Sequence, residues 1–306
     1  MRSYSLVLVS PPDGPSLEPA VVRGACGWLP DGDRQTPHWL SDGEACEISF
    51  TVEDEHDKLG LPGTLAENIR EDVIGCRPID VAVVPGERRR KKLLVADLES
   101  TVIEQECLDE LADYVGLRAR ISDITSRAMR GELDFETAVK ERVGLLKGLD
   151  ARSLDKLYTE RVTVARGAET LVRSMSKNGA WCALVSGGFT FFTERIAKRL
   201  GFHIHQANTL EIKDGRLTGH VTEPILGREA KLAALQRLTA ERTIEADETL
   251  AVGDGANDLA MIKAAGLGVA YRAKPLVAAE ARVAINYGDL TALLYLQGYR
   301  REEFVA

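Results

Sequence analysis

Three short apolar stretches of this sequence end on side chains that could do chemistry. The residues that follow stretches 93–96, 181–185 and 249–252 are, in order, Asp97, Ser186 and the pair Gly253-Asp254. Short continuous apolar stretches are typical of strands buried in a parallel sheet. Because ligands of such sheets bind outside the carboxyl ends of the strands, we expect Asp97, Ser186 and Asp254 to meet at one edge.

The carboxylates of Asp97 and Asp254 would repel each other at this edge unless a cation lay between them. Ligation by oxygen atoms alone favours Mg²⁺ over softer metals. The helix after each strand would point backbone N–H groups at the same place, which suits a phosphate. A single aspartate after a strand is more often a turn or capping residue. The prediction of a magnesium and phosphate site therefore depends on the combination.

These residues belong to motifs that occur in a characteristic order. The motifs are Asp97-Leu98-Glu99-Ser100-Thr101, Val185-Ser186-Gly187-Gly188, Lys231 and Gly253-Asp254-Gly255-Ala256-Asn257-Asp258. Their order matches the haloacid dehalogenase-like phosphatase superfamily. From about residue 90 onward the chain resembles the bacterial phosphoserine phosphatases. That narrower resemblance is carried by STVIEQECLDELA at 100–112, MRGELDFETAVKERVGLLKGL at 129–149 and YGDLTALLYLQGY at 287–299.

The resemblance implies a nucleophile and a metal site. Asp97 would attack phosphorus and form an aspartyl-phosphate, which divides hydrolysis into two displacements. Mg²⁺ would be held by the carboxylates of Asp97 and Asp254 and by the backbone carbonyl of Glu99. The metal would offset the repulsion between the nucleophile and the phosphate.

The resemblance also implies how the phosphoryl group is bound. Ser186, the Gly187 N–H, Lys231 and Asn257 would contact its oxygen atoms. Asp258 would orient Lys231 and the metal-bound waters from behind. Without the ordered motifs, Lys231 would be interpreted as an exposed lysine on a helix.

Phosphoserine also carries an ammonium and a carboxylate, so its binding site needs one fixed anion and one forked cation. Glu106 and Arg142 match the family positions that supply these charges. Met129 and Phe135 match positions that line the pocket, although packing in a hydrophobic core explains them equally well. On residue type alone, Glu106 and Arg142 would be interpreted as exposed helix charges.

Glu99 departs from the family pattern, which usually has a second aspartate two residues after the nucleophile. That aspartate acts as general acid for the leaving alkoxide and then as general base for water. Glutamate keeps this chemistry but shifts the carboxyl group by roughly 1.5 Å, and a misplacement of about 1 Å can cost about a hundredfold in rate. The sequence therefore predicts activity and leaves its efficiency open.

The elements that position these residues form two predicted domains. For residues 88–306 the pattern predicts an α/β fold with a Rossmann-like parallel sheet, whose core comprises 93–101 and 167–306. The helical stretch after the first core strand is longer than a crossover needs, so a helical cap is predicted over about 102–166. Further predictions are a hairpin over 205–222, strands over 267–271 and 282–286, and helices over 228–239, 257–265 and 289–297.

Residues 1–87 are predicted to form a non-catalytic α+β domain of βαββαβ order. Its predicted strands are 4–9, 37–44, 47–52 and 80–84, and its predicted helices are 16–26 and 63–74. The segment weakly resembles the ACT-like domain found on many bacterial phosphoserine phosphatases. That resemblance implies either a dimerising role, which would give a homodimer, or a regulatory role through amino-acid binding. The basic run 88–92 is interpreted as a solvated linker.

Composition excludes several other classes of function. Residues 1–87 hold 16 acidic and 6 basic side chains and residues 88–306 hold 31 and 33, so neither part offers a basic face for nucleic acid. No apolar run approaches the roughly 18–20 residues of a membrane helix. The five cysteines never occur as CxxC, which argues against zinc and disulfides and favours a reducing compartment. We therefore expect a cytoplasmic protein.

The resemblance implies a Mg²⁺-dependent phosphatase that hydrolyses O-phospho-L-serine to L-serine and phosphate, the last step of serine biosynthesis. One alternative is a related phosphatase or phosphotransferase acting on another small phosphomonoester. Glu106 and Arg142 argue against it, because an alcohol without amine and carboxylate needs neither. A second alternative is a catalytically weakened amino-acid sensor, which Glu99 and the acidic first domain keep open.

Overall fold

The computed structural model describes residues 1–30, 35–53, 61–129 and 132–306, without the side chains at 61, 62, 128 and 129. Its strands are Arg2–Val9 (β1), His38–Ser41 (β2), Ala45–Val52 (β3), Asp80–Pro85 (β4), Leu93–Ala96 (β5), Trp181–Phe189 (β6), Ile204–Asn208 (β7), Leu210–Lys213 (β8), Arg216–Val221 (β9), Thr249–Gly253 (β10), Leu267–Tyr271 (β11) and Val283–Ile285 (β12). Its α-helices are Pro19–Cys26 (α1), Leu61–Ile69 (α2), Cys107–Tyr114 (α3), Arg118–Met129 (α4), Phe135–Gly144 (α5), Arg152–Glu160 (α6), Ala168–Lys177 (α7), Thr190–Leu200 (α8), Glu229–Glu241 (α9), Leu259–Ala264 (α10), Pro275–Glu280 (α11) and Ala292–Leu296 (α12). Among the described residues, no helix is both long enough and apolar enough to cross a bilayer.

Six strands form a parallel sheet in the order β12-β11-β10-β5-β6-β7. Ala96 at the end of β5 is aligned with Val252 of β10 and with Leu184 of β6. Asp97 after β5, Ser186 within β6 and Asp254 after β10 therefore lie at one edge of the sheet. Both faces of the sheet are covered by buried apolar side chains from the helices. The predicted α/β fold with a parallel sheet is confirmed.

Helices α3 to α6, here called the cap, lie between β5 and β6. The segment that leaves the sheet towards the cap and the segment that returns from it lie side by side, since the Ala165 N–H donates to the Val102 carbonyl at 2.9 Å. The hairpin β8–β9 is joined to the cap, since the Gly148 N–H donates to the Leu217 carbonyl at 2.8 Å.

The predicted hairpin over 205–222 is wrong in its first half. Residues Ile204–Asn208 pair with β6 as the edge strand of the parallel sheet, and only β8 and β9 form a hairpin. A short half-exposed strand has the same sequence pattern in a parallel and in an antiparallel pair, so the pattern could not choose the partner. Helices α8 and α11 were not predicted.

The first four strands form an antiparallel sheet in the order β2-β3-β1-β4. Alternate residues of β1 face opposite sides of this sheet. Leu6 and Leu8 pack in a cluster with residues of α1 and α2, whereas Val7 and Val9 belong to the core that contains α12. The second face of this sheet is therefore covered by a helix from the far end of the chain.

Three residues of the basic run 88–92 are exposed as predicted for a solvated linker, but Arg89 and Lys91 are not. Arg89 pairs with Glu47 and donates to the backbone carbonyls of Tyr295 and Leu296. Lys91 is 5% exposed, and its ammonium donates to the Asp247 carbonyl at 2.7 Å. These cations are buried because carboxylate and carbonyl oxygens replace their water.

Asp80 joins the antiparallel sheet to the loop after β12. Its buried carboxylate accepts hydrogen bonds from the N–H groups of Asn286, Tyr287 and Gly288, the shortest being 2.7 Å from Gly288. A buried N–H group that loses its acceptor pays its full desolvation cost. Asp80 therefore contributes to stability across the contact between the two sheets.

We expect Asp80→Ala to lower the free energy of unfolding by about 1–3 kcal/mol, because the N–H of buried Gly288 would lose its acceptor, whereas exposed Asn286 and Tyr287 can bond to water. Urea denaturation measures this change, and Asp72→Ala, at an exposed position, is the control. A loss no larger than that of the control would contradict the expectation.

Candidate active site

The turn after β5 presents two carboxyl groups to one cavity. Asp97 is 5% exposed and begins an irregular turn over Leu98–Val102, in which Ser100 has a positive φ of 55°. Asp97 and Glu99 both line the cavity above the sheet edge. The space that Glu99 occupies depends on Gly188, because a Cβ atom at 188 would lie 2.8 Å from Glu99 Oε2. The longer acid therefore fits where residue 188 has no side chain.

Three carboxylates form a cluster at the carboxyl ends of β5 and β10. Oxygen atoms of Asp97, Asp254 and Asp258 all lie within 4.8 Å of one another. The ammonium of Lys231 lies 2.7 Å from Asp97 Oδ1 and 2.5 Å from Asp258 Oδ1. Asp258 also accepts from the Gly255 N–H at 3.0 Å, and Asp254 from the Thr101 hydroxyl at 3.3 Å.

The charges of this cluster are unbalanced. Burial would lower the pKa of Lys231, but the carboxylates of Asp97 and Asp258 outweigh it and raise that pKa. Burial and the neighbouring Asp258 raise the pKa of Asp254 to about 6. The cluster holds three carboxylates and only one ammonium, so it has room for further positive charge. Carboxylate oxygens are the ligands that hard divalent cations prefer, and the cluster therefore fits a bound divalent cation.

A cavity of about 770 Å³ opens above this cluster, between the sheet edge and the cap. Nine of the predicted site residues line it: Asp97, Glu99, Glu106, Phe135, Arg142, Ser186, Gly187, Asp254 and Asn257. Lys231 and Asp258, which are 2% and 0% exposed, lie beneath its floor. The side chain of Met129 lies outside the described part of the chain, so its predicted contact is not described.

Glu99 has the surroundings of an acid that exchanges protons near neutral pH. Its Oε1 accepts from the Cys107 N–H at 2.8 Å. Burial, with a further contribution from Glu106, raises the pKa of Glu99 to about 7. A carboxyl group with such a pKa can donate a proton in one step and accept one in the next.

The two charged residues predicted to select the substrate come from the cap side of the cavity. Glu106 Oε1 accepts from the Ser100 hydroxyl at 2.8 Å, and Arg142 Nε donates to the Ala138 carbonyl at 3.2 Å. No ion pair between described residues joins Glu106 to Arg142. Burial lowers the pKa of Arg142, but a guanidinium stays charged at neutral pH. Both charges therefore remain available to a ligand.

Phe135 connects the cap to the sheet edge. Its ring lies 3.3 Å from the position of a Cβ atom at Gly187 and 3.5 Å from that at Gly227. The aromatic ring therefore covers two glycines of the site floor.

This arrangement agrees with a family assignment by sequence. The sequence model of the haloacid dehalogenase-like hydrolase family matches residues 94–263. The chain belongs to this family.

Several relatives of this haloacid dehalogenase-like hydrolase are curated as phosphoserine phosphatases. It is 46% identical to that of Streptomyces coelicolor over 74% of this chain and 56% of the relative. It is 41% identical to that of Vibrio cholerae over 88% of this chain and 84% of the relative. The solved structure of a phospho-aspartyl intermediate analogue of phosphoserine phosphatase superposes with a TM-score of 0.62 at 38% identity, over 67% of this chain and 98% of that one. The chain thus spans little more than half the length of the Streptomyces relative.

Sequence reasoning missed some residues of the site of this hydrolase. Arg228 and Lys274 line the cavity, and Asn208 is buried beside Gly187. Arg228 lies one helical turn before Lys231, and Lys274 precedes Pro275, but isolated basic residues gave no signal of their own. Asn208 ends a strand, where asparagine is common for other reasons.

Proposed function

We propose that this hydrolase is a Mg²⁺-dependent phosphoserine phosphatase that completes serine biosynthesis. The observation that carries the proposal is the placement of Glu106 and Arg142 in the same cavity as the Asp97 cluster. One side of the cavity can bind a phosphoryl group, and the other offers an anion and a forked cation. The similarity to curated phosphoserine phosphatases supports the same substrate.

In the proposed reaction Asp97 attacks phosphorus, and the bond from phosphorus to the serine oxygen breaks. Glu99 donates its proton to that oxygen as serine leaves. Glu99 then accepts a proton from water, whose oxygen attacks the aspartyl-phosphate and releases inorganic phosphate and Asp97. Each step balances in protons, and Glu99 ends in the protonation state in which it began.

The binding roles follow from the positions of the side chains. Asp97, Asp254 and the Glu99 backbone carbonyl would hold Mg²⁺, which supplies positive charge against the charge of the phosphoryl group. Ser186, the Gly187 N–H, Lys231 and Asn257 would bind the phosphoryl oxygens, and Asp258 would hold Lys231 in place. Phe135, with Met129 on the adjoining helix, would exclude water from the covered site.

Phosphate release from a panel of phosphomonoesters tests this function. We expect the highest kcat/KM for O-phospho-L-serine, and loss of activity with EDTA that Mg²⁺ restores. Phosphoethanolamine lacks the carboxylate and 3-phosphoglycerate lacks the ammonium, so both should be poor substrates. Equal activity on all three would contradict the assignment of the substrate.

We expect Arg142→Ala to lower kcat/KM for phosphoserine by about a hundredfold, since a charged hydrogen-bonded pair contributes about 1.5–3 kcal/mol. Activity on phosphoethanolamine should hardly change, because that substrate has no carboxylate to lose. Glu106→Gln should show the reverse selectivity, with 3-phosphoglycerate as the insensitive substrate.

The control for these variants is Arg152→Ala, at a cap arginine whose side chain is 89% exposed. Arg152→Ala should leave kcat/KM unchanged for every substrate. Equal losses on all substrates in Arg142→Ala would show that Arg142 supports the cap and does not read the carboxylate.

The remaining features of the proposal concern the whole protein. We propose that residues 1–87 form an ACT-like regulatory or dimerising domain, that the protein acts as a homodimer, and that it is cytoplasmic. The buried contacts of Arg89 and Asp80 support a fixed attachment of this domain to the phosphatase domain.

A further inference from the structure

Asn208 is a buried polar side chain that the proposed reaction does not use. It is 2% exposed at the end of β7. Its amide nitrogen donates to the carbonyl of Gly187 at 2.8 Å and to that of Leu226 at 3.3 Å. Its Oδ1 accepts from the Leu226 N–H at 2.7 Å. One side chain thus joins two segments that are distant in sequence.

The first of these segments bulges out of the parallel sheet. The register between β6 and β7 jumps from Val185 to Phe189 on β6, while it advances by only two residues on β7. The residues in between are pushed towards the cavity, and backbone groups in a bulge lose their partners in the ladder. The Asn208 amide supplies the donor that the Gly187 carbonyl would otherwise lack.

The peptide unit between Gly187 and Gly188 is held at both ends. Its oxygen accepts from Asn208, and its N–H donates to Ser186 Oγ at 2.9 Å. These two bonds fix the side chain of Ser186 and limit rotation of the neighbouring Gly187 N–H. Both groups are proposed to bind the phosphoryl oxygens, and such donors stabilise charge only when they are aimed at it in advance.

The second segment leads into the helix that carries Lys231. Asn208 bonds to both the N–H and the carbonyl of Leu226, two residues before Arg228 and the start of α9. Gly227, the next residue, lies under the ring of Phe135. The position of α9 relative to the bulge is therefore tied to the same side chain.

We propose that Asn208 is a positioning residue for phosphoryl binding. It holds the Ser186–Gly187 bulge and the start of α9 at the separation that lets Ser186, the Gly187 N–H and Lys231 contact one phosphoryl group. This inference rests on the proposed function, because it assigns these groups to the phosphoryl oxygens.

Asn208→Asp tests the inference with little change of shape. It replaces the donating amide group by an oxygen that faces two carbonyl oxygens. Gln297→Glu makes the same chemical change at a matched position away from the cavity. Gln297 is 1% exposed, accepts from the Lys91 N–H at 3.0 Å and donates to the Leu293 carbonyl at 2.9 Å.

The measurements are kcat and KM for phosphoserine and for an aryl phosphate, inhibition by inorganic phosphate, and the melting temperature. We expect Asn208→Asp to lower kcat on both substrates by about 10- to 100-fold, since a misplacement of about 1 Å can cost that much. The inhibition constant of inorganic phosphate should rise about tenfold, because the phosphoryl donors are no longer aligned. Gln297→Glu should lower the melting temperature but leave these kinetic values within about twofold.

Similar kinetic losses in the two variants, or unchanged phosphate inhibition in Asn208→Asp, would overturn the positioning role. Asn208→Ala is measured in the same way, so that a poorly folding Asp variant does not decide the result. If the unmodified protein neither hydrolyses phosphoserine nor is inhibited by phosphate, the proposed function fails and the positioning role fails with it. An active unmodified protein with two kinetically unchanged Asn208 variants rejects the positioning role alone.

Discussion

Asp97→Asn is expected to reduce phosphoserine turnover by at least about a thousandfold, because an amide cannot form the aspartyl-phosphate. The side chain keeps its size, and its amide oxygen can still accept from Lys231, 2.7 Å away. The fold should therefore remain intact. The melting temperature and far-UV circular dichroism check this point, and phosphate release measures the loss.

The matched control is Asp289→Asn, which changes a buried aspartate outside the cavity. Asp289 accepts from the Thr291 N–H at 2.8 Å and is 4% exposed. Asp289→Asn should lower the melting temperature and leave the turnover rate unchanged. Rapid acid quenching followed by mass spectrometry should detect one added phosphoryl group on the unmodified protein and none on Asp97→Asn. Turnover of Asp97→Asn near the unmodified rate would remove the covalent intermediate from the mechanism.

The second large effect is expected at Glu99. Glu99→Gln should slow release of serine from phosphoserine by about 10²–10⁴-fold, the usual contribution of a general acid. Glutamine can still accept from the Cys107 N–H, so the position of the side chain is preserved. The same variant should slow release of the phenol from an aryl phosphate less, because a phenolate leaves with little protonation.

In the proposed reaction Glu99 also acts in hydrolysis of the phosphoenzyme, so steady-state rates would combine two effects. Release of the alcohol in a single turnover isolates the first step. Glu104→Gln, at an exposed glutamate five residues further on, is the control. Glu99→Asp should remain active, because both acids can donate a proton. A Gln variant that releases serine at the unmodified rate in a single turnover would exclude the acid role.

The predictions from sequence succeeded for the polar site residues that come directly after an apolar run. Apolar runs located β5, β6 and β10, and the residues after them meet as expected, because parallel strands share one carboxyl edge. The residues that line the cavity from the cap were predicted only through the family resemblance. Nothing in the spacing of Glu106 and Arg142 alone distinguishes a pocket charge from an exposed one.

The failures have a common physical origin in contacts between distant residues. A run of five basic residues has the composition of a solvated linker, and only the folded chain brings Glu47 and the carbonyls of Tyr295 and Leu296 to Arg89. The positioning role proposed for Asn208 depends on a bulge that is set by the register of two strands. Local patterns carry no information about such partners.

The cover of the antiparallel sheet by α12 determines the order in which the protein can complete its fold during synthesis. The ribosome finishes β4 about two hundred residues before it makes the partners of Asp80 at 286–288, since Asn286 follows Asp80 by 206 positions. Until then Val7 and Val9 lack the apolar neighbours that α12 brings. A nascent chain that forms the antiparallel sheet early would expose this apolar face until α12 is made, and exposed apolar surface of this kind is what chaperones bind. A chain truncated before residue 292 would lack α12, and this face of the sheet would stay uncovered.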